Sequence, residues 1–392
     1  MSSPTLPASV LKLRAALALA VCGCLAAPAH AADYGFTDLG TAGGPYSSAN
    51  AINNANQTTG INSLGTPSED QGWVLSRWNG ATLNLISDPG RFNGGWAINS
   101  AGTIAGGSSR AFVGYIHAAV WNGSTRTDLN DLGGATDPND RRWSIATGIN
   151  DAGQVIGTSV TADESATKAV SWNNSVNPTV LATLGGASSE GNGINNAGQA
   201  VGSSYLDGDE FRHAAVWNLN NAGVADLGTL GGSESNALAI NNAGQIVGWS
   251  DLTGDAERHA ALWSAGSAID LGTLGGLESR ALAINDGGAI VGWSNLADGS
   301  QRAALWSGGS AIDLNSLLEP SVAAAGWILT EATGINSQGW IVGNAKNSLL
   351  GITEGHAYLL APTAVPLPGA VWLFGSVLAG FAGAARRKPA NV

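Results

Sequence analysis

Ala237-Leu238-Ala239-Ile240-Asn241-Asn242-Ala243-Gly244-Gln245-Ile246-Val247-Gly248 is the clearest copy of a pattern that recurs seven times along this chain. Its anchor, an Ile-Asn pair, stands at Ile52-Asn53, Ile98-Asn99, Ile149-Asn150, Ile194-Asn195, Ile240-Asn241, Ile284-Asn285 and Ile335-Asn336, at intervals of 44 to 51 residues. Three residues after the Asn comes Gly102, Gly153, Gly198, Gly244, Gly288 or Gly339, with Asn56 in the first copy. Asn and Gly best tolerate a left-handed backbone, so the position calls for positive φ in a hairpin turn. A second Gly follows at the seventh position, from Gly60 to Gly343. It predicts a bulge or a close backbone approach inside the next strand.

Two further strands complete each unit. One is a His-Ala-Ala-x-Trp segment carrying Trp78, Trp121, Trp172, Trp217, Trp263 and Trp306, with Leu360 in the last copy. The other holds Asp-Leu-Gly or a relative, near Asp38, Asn84, Asp128, Leu181, Asp226, Asp270 and Asp313. Four short strands per unit match one blade of a β-propeller. The phase adds a second inference: the chain opens on a lone strand at Phe36–Gly40 and ends on His356–Leu360 without one. An amino-terminal strand that completes the last blade would close the ring, whereas an open solenoid needs capping repeats. The expectation is therefore an all-β, seven-bladed β-propeller with four-stranded blades, closed by the N-terminal strand, over residues 32–361.

Composition agrees. Charged residues are 12% of the chain and Gly supplies 56 of its 392 residues, as suits short strands and tight turns. Lys12, Arg14, Arg386, Arg387 and Lys388 lie near the ends, and all 29 acidic residues lie between them. The middle thus sets twelve basic residues against 29 acidic, a net charge of −17 that repels phosphate backbones and argues against nucleic acid as a partner. Both cysteines, Cys22 and Cys24, fall in the amino-terminal apolar stretch.

The two ends read as addresses. In residues 1–31, Lys12 and Arg14 precede the apolar Ala15–Ala27, and Ala29-His30-Ala31 offers a small-x-small cleavage site. This is the pattern of a secretory signal helix, read by the secretion machinery and signal peptidase. Lipidation at Cys24 is the alternative. In residues 362–392, Val365-Pro366-Leu367-Pro368 opens an apolar run from Gly369 to Ala385 that stops at Arg386-Arg387-Lys388. Seventeen such residues make roughly 25 Å of transmembrane helix, with the basic cluster on the cytoplasmic side.

This tail resembles the PEP-CTERM sorting signal of Gram-negative bacteria in its VPLP variant, with Leu367 where the family's name has Glu. The resemblance implies an exosortase-like transpeptidase as partner. The protein would be anchored transiently in the inner membrane, its propeller in the periplasm, then released to the cell surface or extracellular matrix. The repeats resemble the HAF repeat of extracellular bacterial proteins, with His-Ala-Ala at 117, 213 and 259, His-Ala-Tyr at 356, and Asp-Leu-Gly-Thr-Leu-Gly-Gly at 226 and 270. That family implies no established activity.

Chemical motifs are scarce. The chain lacks a phosphate-binding Gly-Lys-Thr loop, His-Glu-x-x-His and Gly-x-Ser-x-Gly. His117, His213, His259 and His356 occupy one repeat position on different units, so they cannot converge on one metal. No cofactor is expected, and nothing specific speaks for calcium. Two connections between an Asp-Leu-Gly strand and the next Ile-Asn strand are enlarged: one carries Asp137, Asp140, Arg141, Arg142 and Trp143, the other Glu319 and Trp327. The acidic loops ahead of the His-Ala-Ala-x-Trp strands, with Asp209 and Asp255 among them, should emerge on the same face. These residues form the candidate ligand face, and extracellular polysaccharide is a candidate partner. The reading is a non-enzymatic binding or structural module; the alternative is an extracellular polysaccharide lyase or glycosidase using paired carboxylates.

Overall fold

In every repeat the Ile-Asn pair ends one strand and starts a tight turn into the next. The computed structural model describes residues 34–65, 72–86, 92–109, 115–133, 143–221, 223–307 and 309–363. The secretory signal, the sorting tail with Val365–Pro368 and Arg386–Lys388, and Asp137, Asp140, Arg141 and Arg142 lie outside the described residues. Among the described residues, no helix is long and apolar enough to cross a membrane.

Among the described residues, twenty-eight strands form seven antiparallel groups of four. The first strands are Ser47–Ile52, Asn93–Ile98, Ser144–Ile149, Gly185–Ile194, Gly231–Ile240, Gly275–Ile284 and Trp327–Ile335. All seven contribute residues to one central opening. Each pairs outward with the second strand across the turn, then with the third strand bearing the Trp, then with the fourth. In the seventh sheet the fourth place is taken by Tyr34–Asp38, antiparallel to Ile352–Pro362 with Tyr34 opposite Pro362. Fifth and sixth sheets also touch through one parallel pairing, Arg258 with Glu278. Four-stranded meanders packed around a common opening make the architecture a β-propeller.

The two recurring glycines have separate causes. Gly102, Gly153, Gly198, Gly244, Gly288 and Gly339 have φ between 75° and 82°, and Asn56 has 59°. The later glycine lies where a Cβ would strike a carbonyl of the facing first strand, Ser48 for Gly60 and Asn236 for Gly248. The bulge falls on that facing strand, where the register slips at Asn50, Trp96, Thr147, Asn192, Leu238, Leu282 and Thr333. Close approach on one strand and bulge on its partner are two sides of one distortion.

The sheets are held together by three repeated contacts. Each Trp is at most 3% exposed, as is Leu360 in the seventh sheet. Trp217 packs on Ile156, Ala169 and Leu181 of the sheet before it, and Trp78 on Val342, Ala357 and Leu359 of the seventh. The indole N–H of Trp78, Trp172, Trp217 and Trp306 donates to a carbonyl of that preceding sheet's exit segment, at 2.7 to 3.4 Å. A Ser early in the first strand accepts from the third strand of the previous sheet, as Ser235 does from the Ala214 N–H (2.8 Å) and Ser47 from Ala357 (2.9 Å).

The third contact is the anchoring Asn. Its side-chain oxygen accepts from the backbone N–H four residues on, closing its own turn, as Asn241 does from Gln245 at 2.9 Å. Its Nδ2 donates to the backbone oxygen of the next sheet's Asn. The chain of donors runs from Asn53 to Asn99 (2.9 Å), Asn150 (3.2 Å), Asn195 (3.1 Å), Asn241 (3.1 Å), Asn285 (3.0 Å) and Asn336 (2.9 Å). The last bond, Asn336 to the Asn53 oxygen at 3.2 Å, returns to the start. Asp lacks the donor and Gln is one methylene too long, so the position admits Asn alone.

Two outcomes follow for stability in urea. Trp217→Ala should cost about 3–5 kcal/mol, as for other large aromatic truncations in a core. The near-isosteric Asn241→Asp should cost about 1–3 kcal/mol by setting a buried acceptor against the Asn285 carbonyl. An unchanged midpoint for Asn241→Asp would mean that the circuit contributes nothing to stability.

Candidate functional site

The central opening is built from the first strands, and its two ends differ in chemistry. Each first strand ends at the Asn circuit, so that end carries a second belt of Asn54, Ser100, Asp151, Asn196, Asn242, Asp286 and Ser337. Backbone N–H groups donate around this belt as well: Ser100 to Asp151, Asp151 to Asn196, Asn196 to Asn242 and Asn242 to Asp286, each at 2.9 Å. Partial burial raises the carboxyl pKa of Asp151, but bonds from the backbone and side chain of Ser100 and from Asn196 outweigh it. Its net position is below the usual aspartate value. Both carboxylates of the belt are therefore engaged by donors of the ring itself.

Midway along the opening lie the seven bulged residues. Four of them bind the next sheet: Asn50 to the Gly95 oxygen (2.7 Å), Thr147 to Gly191 (2.7 Å), Asn192 to Ala237 (2.8 Å) and Thr333 to Ala49 (2.7 Å). Leu238 and Leu282 have no such group, and with Trp96 they give the wall half-buried, largely apolar ground.

The opposite end receives the lead-ins to the first strands and the hairpins between second and third strands. Asp209 and Asp255 sit at hairpin tips with φ of 57°. Their carboxylates accept from the lead-in N–H groups of Ala187 (2.6 Å) and Ser233 (2.7 Å), which places hairpins and lead-ins together. Glu319 is exposed at the start of a five-residue helix, α1 (Pro320–Ala324). Trp327 opens the seventh first strand and packs on Phe36 (5.1 Å) and His356 (6.1 Å). The carbonyl of half-buried Trp143 accepts from Val160 (3.1 Å). These five residues belong to sheets three, four, five and seven, so they share an end of the molecule without forming one constellation.

The repeated histidines pair within their own sheets. Nδ1 lies 2.9 Å from an Asp226 oxygen in His213, 2.9 Å from Asp270 in His259 and 3.2 Å from Asp38 in His356. His117 instead lies 3.8 Å from Asp131, while Asp128 binds Arg126 at 2.9 Å. Among the described residues, no three His, Cys, Asp or Glu side chains gather where a metal could be held.

One cluster at this end was not singled out from the sequence. Trp249, nearly buried, has the Arg258 guanidinium 3.8 Å from its ring centre, Arg280 at 5.4 Å and Arg212 at 5.7 Å. Arg280 is also 5.4 Å from the ring of Trp293, its partner across the ladder. Arg258 makes a two-point bond with Asp251 (2.7 and 3.2 Å) and reaches Glu234 at 3.6 Å. Arg212 reaches Glu190 at 3.5 Å. Arg280 is held below the usual arginine pKa, first by burial and then by the like charge of Arg258, against the pull of Glu278. The available signal was a double repetition: Gly-Trp-Ser at 248 and 292, and Arg-His at 212 and 258.

No protein-family model and no curated protein matches the chain. Among solved structures it is similar to TolB from Acinetobacter baumannii, at 12% identity and a TM-score of 0.43, over 79% of this chain and 64% of that one. It is similar to a prolyl endopeptidase at 10% identity and a TM-score of 0.45, over 86% of this chain and 51% of that one. A third likeness is to the β-propeller domain of the Trilobed protease from Pyrococcus furiosus, at 9% identity and a TM-score of 0.43, over 86% of this chain and 100% of that one. The chain thus spans less than two thirds of TolB and about half of the endopeptidase. The fold rests on the sheet topology itself.

The belt predicts a pH dependence. A lowered carboxyl pKa contributes stability above the unfolded value, near 3.8, and loses it as pH falls through the folded one. Wild type should therefore exceed Asp151→Asn in melting temperature near neutral pH. The gap should close as pH falls below about 4, and a gap independent of pH would remove Asp151 from the account.

Proposed function

We propose that this chain is an exported surface or matrix protein of a Gram-negative bacterium, and that it is a non-enzymatic binding or structural module. Its seven sheets are read as seven blades of a single ring that the amino-terminal strand closes. In this reading residues 1–31 are a secretory signal, 32–361 the propeller, and 362–392 the tail on which an exosortase-like transpeptidase acts. The molecular part is supported chiefly by how the repeated polar residues are used. The anchoring Asn side chains bind neighbouring sheets, and His213, His259 and His356 each face an Asp of their own sheet. The repeated chemistry is spent on scaffold, and what remains for recognition is the aperiodic loop-bearing end with its tryptophans and arginines.

Intact mass and fractionation of the protein from its producing cell test this reading. The expected species lacks residues 1–31 and everything after about Pro368, and it partitions to the medium or matrix. A full tail retained in the membrane fraction would replace sorting with simple anchorage and overturn the matrix assignment.

A further inference from the structure

We infer that Arg280, flanked by Trp249 and Trp293, is the contact point for a carboxylate on an acidic saccharide. The three arginines around Trp249 are not equivalent. Arg258 and Arg212 each face a carboxylate within ion-pair distance, whereas the Arg280 side chain makes no hydrogen bond or ion pair among the described residues. Its Nε is buried without a partner, as is that of Arg212, but Arg212 has Glu190 for its Nη1. Glu278, two residues earlier on the same strand, acts on it only through space.

A half-buried guanidinium with unfilled donors is costly, and its two neighbouring arginines add repulsion. The indoles offset part of that cost through cation–π attraction, but they leave the in-plane N–H groups of the two Nη atoms unfilled. A planar fork of this kind is complementary to one carboxylate, taken in two parallel bonds. Lys would offer a point charge instead.

The surroundings favour a sugar acid as the bearer. Arg280 is two residues before the bulged Leu282 on the same strand, and Leu282 lines the central opening together with Leu238. Trp293 is half-buried beside it. A uronic acid presents a flat face of C–H groups and a carboxylate at its rim, which suits an indole beside a guanidinium. The domain's net charge of −17 disfavours densely charged polyanions, so the fitting ligand is a largely neutral saccharide with isolated uronate units.

The inference rests on reading the propeller as a binding module but not on its sorting, and the two fail separately, since binding is measured on purified protein wherever the tail ends up. The probe is a trisaccharide ending in glucuronic acid, titrated calorimetrically into protein isolated from the producing cell, with the all-glucose trisaccharide and hexaglutamate as comparisons. Binding of the uronate probe is expected, about tenfold or more weakened by Arg280→Gln, by Trp293→Ala and in the neutral analogue. Arg280→Lys, which keeps the charge and guards against misfolding, should weaken it as well while melting like wild type. No binding, equal binding of the neutral sugar, or binding indifferent to Arg280 would overturn the inference. Hexaglutamate bound as tightly as the uronate would overturn the saccharide class.

Discussion

The bond from one anchoring Asn to the backbone oxygen of the next is the constraint on which the rest of the structure hangs. It works because one side chain has two jobs with opposite polarity: the oxygen fixes the local turn and the nitrogen reaches the neighbour. The turn therefore cannot relax without releasing the contact between sheets, nor the reverse. Local and long-range order are coupled in a buried amide, where an unfilled donor or acceptor costs more than the bond itself contributes. Tryptophan packing supplies the larger free energy, but it is non-directional and would tolerate sliding. The amide circuit fixes the phase of each sheet against the next.

That economy has a consequence for where function can reside. Most polar groups repeated around the ring are satisfied by the ring, as the Asn belt and the His–Asp pairs illustrate, with the Trp263 indole N–H an exception. A ligand must be met by residues that depart from the repeat, and the departures gather at the end where first strands begin. There the structure keeps Trp249, Trp293 and three arginines within one short span. At the opposite end, Asp151 and Asp286 accept bonds from ring N–H groups.

Periodicity explains how much was legible in the sequence. The Ile-Asn spacing, the glycine requiring positive φ and the recurring Trp each obey a one-dimensional rule, and each lies in the structure where that rule puts it. The role of Asn could be read only halfway. Its turn is local, whereas its second bond spans 44 to 51 residues and depends on how sheets abut. The glycine at the seventh position posed a similar limit, because the bulge it accommodates lies on the facing strand. Asp209 and Asp255 were legible as acidic hairpin tips, but their use as backbone acceptors needs the lead-in strand beside them. The arginine cluster escaped because its members come from three sheets, and the doubled Gly-Trp-Ser and Arg-His pairs do not by themselves show that they meet.

The pairing of Tyr34–Asp38 with Ile352–Pro362 also has a mechanical side. A strand at a sheet's rim can be peeled away one bond at a time, at low force. Ile352–Pro362 is not such a strand, because it is gripped by Ile341–Asn347 on one side and by Tyr34–Asp38 on the other. Tension entering at Pro362 runs along the strand axis and must shear two ladders at once. For a domain pulled from its carboxyl side, the amino-terminal segment is a clamp.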